Sequence, residues 1–329
     1  MSYSTSRLLR WLAAPLAAML IGVIGGTAVA AYPERAITII VPFNAGTTPD
    51  ILTRMLADSM SRDLGQSVVV MNRVGASGII GTQAVINAQP DGYTIGFANA
   101  ATLAINQSLY KKLSYDADTQ LQPVAETGSV QNVLAVRTAL GVNSVAELIA
   151  YAKANPGKLT VGSGGNGTTG HLSAEMFKAM AGVSIMHVPY KGGLEADLAL
   201  LRGEVDLVFE NVASILPYLS NPSVKPLAVT GTVRDFTLPE LPTMAESGLK
   251  GYQAVAWTGF VAPAAVDKKI ADRLNQSVNK ALETPEIQAR LKSLAISVEP
   301  APTDALFKRA VRERPIWAEA VRSSGAVVD

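Results

Sequence analysis

The sequence predicts an α/β protein of two lobes, in which one lobe is made of two separate segments of the chain. Its 329 residues correspond to about two domains. Apolar, β-rich runs alternate with helical patterns in two successive blocks, an order typical of parallel sheets covered by helices. The C-terminal segment lacks strands enough for a third sheet, so we expect it to return to the first lobe. The expected division is 32-128 with 253-329 as domain 1 and 129-252 as domain 2.

The first block begins with a strand at 36–41, an apolar run rich in isoleucine. A helix follows whose apolar face is formed, at helical spacing, by Ile51, Leu52, Met55, Leu56 and Met60. Gly65 ends this helix. The block continues with a strand at 68–70, a helix at 79–88 and, after the turn Pro90-Asp91-Gly92, a strand at 93–97.

The second block repeats the alternation. Its predicted strands are 133–136, 159–161, 185–188, 205–209 and 225–230. Its predicted helices are 144–153, which Ser144 caps, 169–180 and 194–201. After a strand-like stretch that ends at Val261, we expect helices with breaks at Pro285, Pro300 and Pro315.

The first 31 residues have the layout of a secretory signal peptide. Arg7 and Arg10 precede an apolar stretch, and Ala28-Val29-Ala30 forms an A-x-A cleavage site. The alternative is a transmembrane anchor, which is disfavoured because a proline and several glycines interrupt an apolar run shorter than the ~20 residues of a span. We therefore predict export, with cleavage near Ala30 or Ala31 and a mature protein that is not membrane-embedded.

Charge balance and the absence of cysteine exclude several classes of function. The chain has 28 basic and 27 acidic residues, a net charge of +1, and without Arg7 and Arg10 the counts become 26 and 27, a net charge of −1. A nucleic-acid-binding protein would show a basic excess, so no nucleic-acid partner is expected. Without cysteine there is no thiolate chemistry, and the two histidines lack metal-ligand spacing. We expect no metal and no cofactor.

Two motifs that suggest enzymes are incomplete. Residues 162–167 match the dinucleotide-binding pattern G-x-G-x-x-G, but the next strand ends at 187–190 without an acidic residue for a ribose hydroxyl. Ser163 lacks the glycine two positions earlier that a nucleophile elbow requires. Neither a nicotinamide cofactor nor a serine nucleophile is therefore predicted.

The remaining titratable candidates do not combine into a catalytic set. His171 falls in the first turn of a predicted helix, where a positive imidazole is disfavoured, so we expect a neutral hydrogen-bonding residue. His187 closes a strand and is expected to be structural. Asp50 and Glu210 lie near strand ends, but nothing pairs them as an acid and a base. We predict no catalytic residue.

Two loops share a design suited to an anion. Residues 43–48 follow the first strand and open a helix, and residues 163–169 do the same in the second lobe. At the carboxyl ends of strands, backbone N–H groups and a helix N-terminus favour negative charge. Several donors, each worth about 1.5–3 kcal/mol with a carboxylate, would give micromolar affinity. Ordinary strand-to-helix turns also explain these glycines and threonines, and the spacing alone leaves both interpretations open.

Short motifs follow one another along the chain after residue 31. They are Tyr32-Pro33, Ile40-Val41-Pro42-Phe43, Asp50, Arg54, Gly65-Gln66, Asn72-Arg73, Gly75-Ala76-Ser77-Gly78, Pro90-Asp91-Gly92-Tyr93-Thr94, Ala154-Asn155-Pro156-Gly157-Lys158-Leu159, His171-Leu172, Glu175, His187-Val188-Pro189-Tyr190-Lys191-Gly192, Leu227-Ala228-Val229-Thr230, Pro242-Thr243, Glu246, Trp257 and Ala262-Pro263. Each motif is weak alone, but this many in order are highly specific. In them the sequence resembles the Bug-type extracytoplasmic solute receptors, the periplasmic binding components of tripartite tricarboxylate transporters.

The resemblance implies a type II periplasmic-binding-protein fold, in which two α/β lobes close on a small organic acid held by the two loops. It implies a non-enzymatic receptor in the periplasm that delivers a di- or tricarboxylate, an amino acid or an aromatic acid to membrane transporter subunits. We expect a monomer. The binding residues carried over by position are Phe43, Asn44, Ala45, Gly46, Thr47, Thr48, Asp50, Ser163, Gly164, Gly165, Asn166, Gly167, Thr168, Thr169, His171, Tyr190, Lys191, Glu210 and Asn211.

Alternatives and one departure stay open at this stage. A sensory receptor for a two-component system would use the same cleft, and an exported hydrolase would use Ser163, His171 or Asp50. The family loop usually reads Pro-Phe-x-x-Gly-Gly, whereas the last position here is Thr47. A positive φ at that position would strain the threonine, and any other φ would add a hydroxyl to the site. The hinge between the lobes is expected near 125–131 and 252–257.

Overall fold

The structure, a computed structural model, describes residues 32–298 and 300–325. The predicted signal peptide and its cleavage site lie outside these residues. The strands are β1 (Ile37–Val41), β2 (Val68–Asn72), β3 (Thr94–Asn99), β4 (Leu121–Arg137), β5 (Thr160–Ser163), β6 (Met186–Pro189), β7 (Leu207–Asn211), β8 (Val224–Val229) and β9 (Val255–Pro263). The helices are α1 (Thr48–Leu64), α2 (Ile79–Ile86), α3 (Asn106–Leu109), α4 (Ala117–Gln120), α5 (Val145–Ala154), α6 (Thr169–Ala181), α7 (Gly193–Leu201), α8 (Val212–Ile215), α9 (Lys268–Leu282), α10 (Pro285–Ser293) and α11 (Ala305–Ser324).

The strands confirm the predicted two-block α/β organisation. They pair in the order β2-β1-β3-β9-β4-β7-β5-β6, and β8 pairs with β4. Strands β1, β2 and β3 are parallel to one another, and so are β5, β6 and β7. Both sets are joined by helices, as the alternation of β-rich and helical patterns requires. The fold is thus two α/β lobes joined through antiparallel strands.

Strand β4 is much longer than the predicted strand at 133–136. Residues 121–131 pair with β9, and residues 132–137 pair with β7 and β8. The register shifts twice along the first part, near Pro123 and Gly128. Because these residues interrupt the apolar alternation, the periodicity of this segment does not indicate a strand. A single strand therefore runs through both lobes.

The prediction of a helix break is correct at Pro285 and Pro300 but wrong at Pro315. Pro285 occupies the start of α10, where no N–H is required, and Pro300 lies between α10 and α11. Pro315 lies inside the 20-residue helix α11. A proline removes one helical hydrogen bond, but α11 buries Leu306, Trp317 and other residues on both sides of it. Burial of this apolar face keeps the helix continuous.

The C-terminal helices pack across the sheet. Helix α9 packs against α1 and β4. The Asp63 carboxylate of α1 forms ion pairs with Arg273 Nη1 and Lys280 Nζ of α9, at 2.8 and 2.7 Å. Helix α11 packs against α6 as well as against β4 and the π-helical turn Ala101–Ile105. The tail therefore contacts α1 of the first block, the shared strand β4 and α6 of the second block. No helix in the described part of the chain has the length and apolar character of a membrane span.

A buried polar network fixes α11 to the two longest strands. Glu313, 3% exposed, accepts a hydrogen bond from Trp257 Nε1 of β9 at 2.7 Å and pairs with Arg309 Nε at 3.0 Å. Arg309 also contacts Glu126 of β4, and its guanidinium lies 5.9 Å from the centre of the Trp257 ring. Removing Glu313 would leave the Trp257 indole N–H without this acceptor and Arg309 with one carboxylate partner instead of two.

We expect Glu313→Ala to lower the free energy of unfolding by about 3 kcal/mol, because Arg309 keeps a buried charge and Trp257 keeps an unpaired indole N–H. Urea unfolding at pH 7 measures this change. Glu319→Ala on the same helix is the control, since the exposed Glu319 carboxylate pairs with the surface residues Arg322 and Ser323. That variant should lose less than about 1 kcal/mol. Equal losses in the two variants would contradict a stabilising role for the network.

Candidate ligand-binding site

A cavity of about 290 Å³ lies where both sets of parallel strands end. Its walls come from the segments that follow β1, β3 and β5, from the end of β7, from the middle of β4 and from the start of β9. The carboxyl ends of parallel strands are the usual position of ligands in α/β sheets. The cavity also lies beside the point where β4 changes its partners, so both lobes contribute to it.

Part of the predicted binding set lines this cavity. The lining residues among those predicted are Phe43, Thr48, Asn166, Gly167, Thr168, Thr169 and Asn211. The other predicted residues do not line it in this conformation: Asn44, Ala45, Gly46, Thr47, Asp50, Ser163, Gly164, Gly165, His171, Tyr190, Lys191 and Glu210. Their assignment to the ligand remains a prediction, and the structure shows what most of them contact.

The loop after β1 is held by Asp50. This carboxylate is 3% exposed and accepts two hydrogen bonds from Arg54, at 2.9 and 3.0 Å, one from Asn72 at 2.8 Å and one from the Gly46 N–H at 2.9 Å. The Arg54 guanidinium is the main reason why the pKa of Asp50 falls to about 2. Asn72 also donates to the Phe43 carbonyl at 3.0 Å. Asp50 therefore positions the loop and the start of α1.

Thr47 is not strained. Its φ of −76° and ψ of 161° are extended, as expected for the residue that precedes a helix, and Gly46 has the positive φ of 80° instead. The Thr47 hydroxyl donates to the Asn44 carbonyl at 2.6 Å. This departure from the family loop therefore reinforces the turn, and the neighbouring Thr48 lines the cavity.

Hydrogen bonds between residues close in sequence fold the loop after β5 on itself. Thr168 caps α6, accepting from the His171 N–H at 3.3 Å and donating to the Gly165 carbonyl at 2.9 Å. The Gly167 N–H donates to His171 Nδ1 at 3.1 Å. Gly167 has a φ of 77°, and a β-carbon there would lie 2.5 Å from Leu109 Cδ2. Only glycine fits this point, which brings the loop against the first lobe.

The two histidines form a neutral stack behind this loop. Their rings lie 3.9 Å apart, and burial lowers the pKa of His171 to about 3 and that of His187 to about 4. Since His171 Nδ1 accepts a hydrogen bond, the proton of the neutral ring is assigned to Nε2. These contacts agree with the expectation of a neutral His171 and a structural His187.

Ser163 and His187 form a contact that spacing did not suggest. Ser163 Oγ lies 2.6 Å from His187 Nε2 and accepts from the Gly165 N–H at 3.2 Å. A hydroxyl beside a neutral imidazole is one element of a serine nucleophile. However, Ser163 is completely buried and does not line the cavity. In this conformation its hydroxyl supports the loop and has no access to a ligand.

Glu210 lies behind the cavity and forms part of a buried acidic pair. Its side chain packs against Gly193 at the start of α7, and Oε1 accepts from the Asn211 N–H at 2.9 Å. Burial, with a contribution from Asp197, raises the pKa of Glu210 to about 8. Burial also raises the pKa of Asp197 to about 6, although Ser214 donates to it at 2.8 Å. The side chain that reaches the cavity is that of the next residue, Asn211.

Tyr190 and Lys191 flank the second loop from outside the cavity. The Tyr190 N–H donates to the Ser163 carbonyl at 2.9 Å, and Lys191 is exposed. A β-carbon on Gly164 would lie 2.8 Å from the Gly193 nitrogen, so the segments are in close contact. Tyr190 therefore supports the loop through its backbone.

Several lining residues were not predicted from the sequence. They are Pro49, Leu52, Ser77, Asn99, Ala100, Ala101, Gly128, Ser129, Val130, Ala256, Trp257, Thr258 and Ile296. For one of them, Ser77, the sequence contains a local indication, because Ser77 lies in a motif with two glycines. Ala76 and Ser77 have φ values of 47° and 50°, in the left-handed region that non-glycine residues avoid. Tyr110 donates to Ser77 Oγ at 2.9 Å and Asn106 to its carbonyl at 3.2 Å, which holds this strained turn at the cavity.

The lining residues offer neutral donors and acceptors only. None of those described is Asp, Glu, Lys, Arg or His. The hydroxyls of Thr48 and Thr169 have no hydrogen-bond partner among the described residues, and neither has the buried Oδ1 of Asn211. The described part of the chain also contains no cluster of three metal-ligating side chains. The arrangement suits an anion that accepts hydrogen bonds at two helix N-termini.

We expect Glu210→Gln to change how stability depends on pH. Because the folded protein keeps the Glu210 proton up to about pH 8 while the unfolded chain releases it near pH 4.5, the wild-type free energy of unfolding should decrease as pH rises between these values. Between pH 5 and 8 the free energy of unfolding should fall in both proteins, and the fall should be smaller in the glutamine variant by at least about 1 kcal/mol. Urea unfolding measures it. Glu195→Gln, an exposed site on α7, should keep the wild-type dependence. Parallel pH curves for Glu210→Gln and wild type would refute the assignment.

Comparison with known proteins identifies the family of the chain. Residues 52–311 match the model of the tripartite tricarboxylate transporter family receptor. Protein BugT of Bordetella pertussis (strain Tohama I) is 35% identical over 296 residues, which are 90% of this chain and 91% of BugT.

Solved structures share the fold. R. palustris Rpa4515 with adipate has a TM-score of 0.80 and 35% identity, covering 89% of this chain and 98% of that one. The periplasmic binding protein BugD has a TM-score of 0.77 and 37% identity, covering 90% of this chain and 99% of that one. These matches confirm the periplasmic-binding-protein fold that the motifs predict. This chain belongs to the tripartite tricarboxylate transporter receptor family.

Proposed function

We propose that this protein is a periplasmic receptor that captures a small organic carboxylate between its lobes and delivers it to transporter subunits of the tripartite tricarboxylate type. The observation that carries this proposal is the uncharged cavity framed by the first turns of α1 and α6. The N-terminus of a helix favours an anion because its first N–H groups are unpaired and its dipole is positive there. Two such ends, from different lobes, suit a ligand that bridges them.

Free hydroxyls strengthen this interpretation. Thr48 lies in the first turn of α1 and Thr169 in the first turn of α6, and both line the cavity. Their hydroxyls have no protein partner among the described residues, so a bound carboxylate would compete with water alone for them. Each such bond contributes about 1.5–3 kcal/mol. The relative Rpa4515 was solved with adipate, a dicarboxylate, which supports the same ligand class for this chain.

Closure of the lobes would follow from the way the chain crosses between them. Residues 125–131 of β4 and 252–257, at the start of β9, lie beside the change of strand partners. We infer that these segments are the hinge between domain 1 (32-128 and 253-329) and domain 2 (129-252). A ligand held by both loops stabilises the closed form by its extra contacts there. In this proposal the receptor is an exported monomer without enzymatic activity, and the ligand leaves chemically unchanged.

Titration calorimetry with mono-, di- and tricarboxylates at pH 7.5 tests the proposal. At least one acid should bind with a dissociation constant of about 1 μM or lower, equivalent to −8 kcal/mol. Thr48→Val and Thr169→Val should each weaken the binding of that acid by about tenfold or more, because each substitution removes a donor and keeps the side-chain shape. The absence of binding across the panel would contradict the proposal.

Thr119→Val is the matched control, since Thr119 is exposed and does not line the cavity. It should keep the wild-type affinity. Recovery of the acid after long incubation, by mass spectrometry, separates a receptor from a hydrolase: a new product would favour catalysis. A smaller radius of gyration with ligand, by X-ray scattering, is expected from closure.

A further inference from the structure

We propose that Leu109 is a positioning residue for ligand capture, which acts through the backbone of Gly167 and not by touching the ligand. Gly167 lines the cavity and Leu109 does not. The packing of Leu109 on Gly167 is what we call the inter-lobe contact. This inference rests on the proposed receptor function and on closure of the two lobes, and it adds a residue outside the predicted binding set.

The inter-lobe contact joins two segments that are distant in sequence. Leu109 is the last residue of α3, between β3 and β4, whereas Gly167 lies in the loop after β5. A β-carbon on Gly167 would lie 2.5 Å from Leu109 Cδ2 and 3.7 Å from its Cδ1 and Cγ. Leu109 is only 1% exposed. The leucine side chain therefore packs directly on the backbone of the cavity wall, at a point where glycine leaves room for it.

Two neighbours of Leu109 hold a lining residue of the first lobe. Asn106 Nδ2 donates to the Ser77 carbonyl at 3.2 Å, and the Tyr110 hydroxyl donates to Ser77 Oγ at 2.9 Å. Ser77 lines the cavity. The short segment that carries Leu109 therefore contacts one lining residue of each lobe: Ser77 through hydrogen bonds and Gly167 through packing.

Gly167 is in turn fixed to the start of α6. Its N–H donates to His171 Nδ1 at 3.1 Å, and Thr168 caps the helix by accepting from the His171 N–H at 3.3 Å. Thr168 and Thr169, at this helix start, line the cavity. A displacement of Gly167 therefore moves the hydroxyls and N–H groups that the proposed carboxylate would use.

The inter-lobe contact favours the closed form alone. In the proposed division Leu109 belongs to domain 1 and Gly167 to domain 2, so separation of the lobes breaks the contact and exposes apolar surface of the leucine to water. A contact made in one conformation only shifts the equilibrium toward that conformation. Because the proposed ligand binds the closed form, loss of the contact lowers the closed fraction and with it the apparent affinity.

Truncation of Leu109 tests its role. The probe is whichever of acetate, succinate, glutarate, adipate, citrate and benzoate binds the wild-type protein most tightly, measured by titration calorimetry at pH 7.5. We expect Leu109→Ala to raise the dissociation constant of this acid at least about tenfold. Leu109→Val, which removes a single methylene group and disturbs folding less, should raise it about threefold.

Leu148→Ala is the matched control, since Leu148 is completely buried in the same hydrophobic core as Leu109 and does not line the cavity. It should lower the melting temperature as a buried truncation does and keep the wild-type dissociation constant within about twofold. An equal loss of affinity in Leu148→Ala and Leu109→Ala would show that general destabilisation controls binding, and would overturn the inference.

A double-mutant cycle tests whether Leu109 acts through Gly167. Gly167→Ala would place its β-carbon 2.5 Å from Leu109 Cδ2, on a backbone with a φ of 77°. The strain of that φ is the same in both backgrounds, but the overlap with the leucine disappears in Leu109→Ala. We therefore expect the increase in dissociation constant caused by Gly167→Ala to be at least about fivefold smaller in the Leu109→Ala background. Equal increases would show that the two residues act independently, and would overturn the inference.

Binding kinetics identify the step that Leu109 controls. Stopped-flow tryptophan fluorescence follows the probe acid, since Trp257 lines the cavity. Because the inter-lobe contact forms on closure, Leu109→Ala should increase the dissociation rate constant and keep the association rate constant within about threefold of wild type. A loss of affinity confined to the association rate constant would overturn the inference.

The same measurements separate this inference from the proposed function. Binding of an acid that is insensitive to Leu109→Ala and Leu109→Val would contradict the role of the inter-lobe contact while the receptor function stands. Silence of every acid with the wild-type protein would contradict the receptor function and this inference together.

Discussion

One strand, β4, has to satisfy hydrogen-bonding partners in two lobes. Its first part pairs with β9 and its second part with β7 and β8. Because buried backbone groups must be paired, this shared strand fixes where the lobes meet. Gly128, Ser129 and Val130 lie just before the change of partners, and they line the cavity together with their neighbours on β9. The position of the site follows from that single crossing.

The cavity suits an anion although none of its described lining residues is charged. The acidic residues closest to the loops serve the structure: Asp50 holds the turn before α1, and Glu210 supports the start of α7. What remains at the cavity surface is a set of hydroxyls, amides and helix N-termini. In a chain whose net charge is close to zero, attraction of an anion has to be local. Donors of this kind recognise a carboxylate by their direction and not by a counter-charge.

Much of the fold and about a third of the residues that line the cavity were predictable for local reasons. The alternation of strands and helices appears in the periodicity, and capping residues such as Ser144 and Gly65 act within a few positions of the elements they end. The two loops were predictable because each combines a strand end with a helix start. Two features were not: the first part of β4, whose bulges hide its alternation, and the continuity of α11 through Pro315, which depends on burial.

The sequence by itself determined the two-block α/β order, the two loops at helix starts and, through its ordered motifs, the family. Tertiary structure decided which predicted side chains reach the cavity, because orientation depends on contacts between distant segments. His171 and Ser163 turn toward His187, and Asp50 turns toward Asn72, so all three support the loops. Residues such as Ser129 and Thr258 enter the site only because β4 and β9 pair across more than a hundred residues of chain. No local pattern records such a pairing.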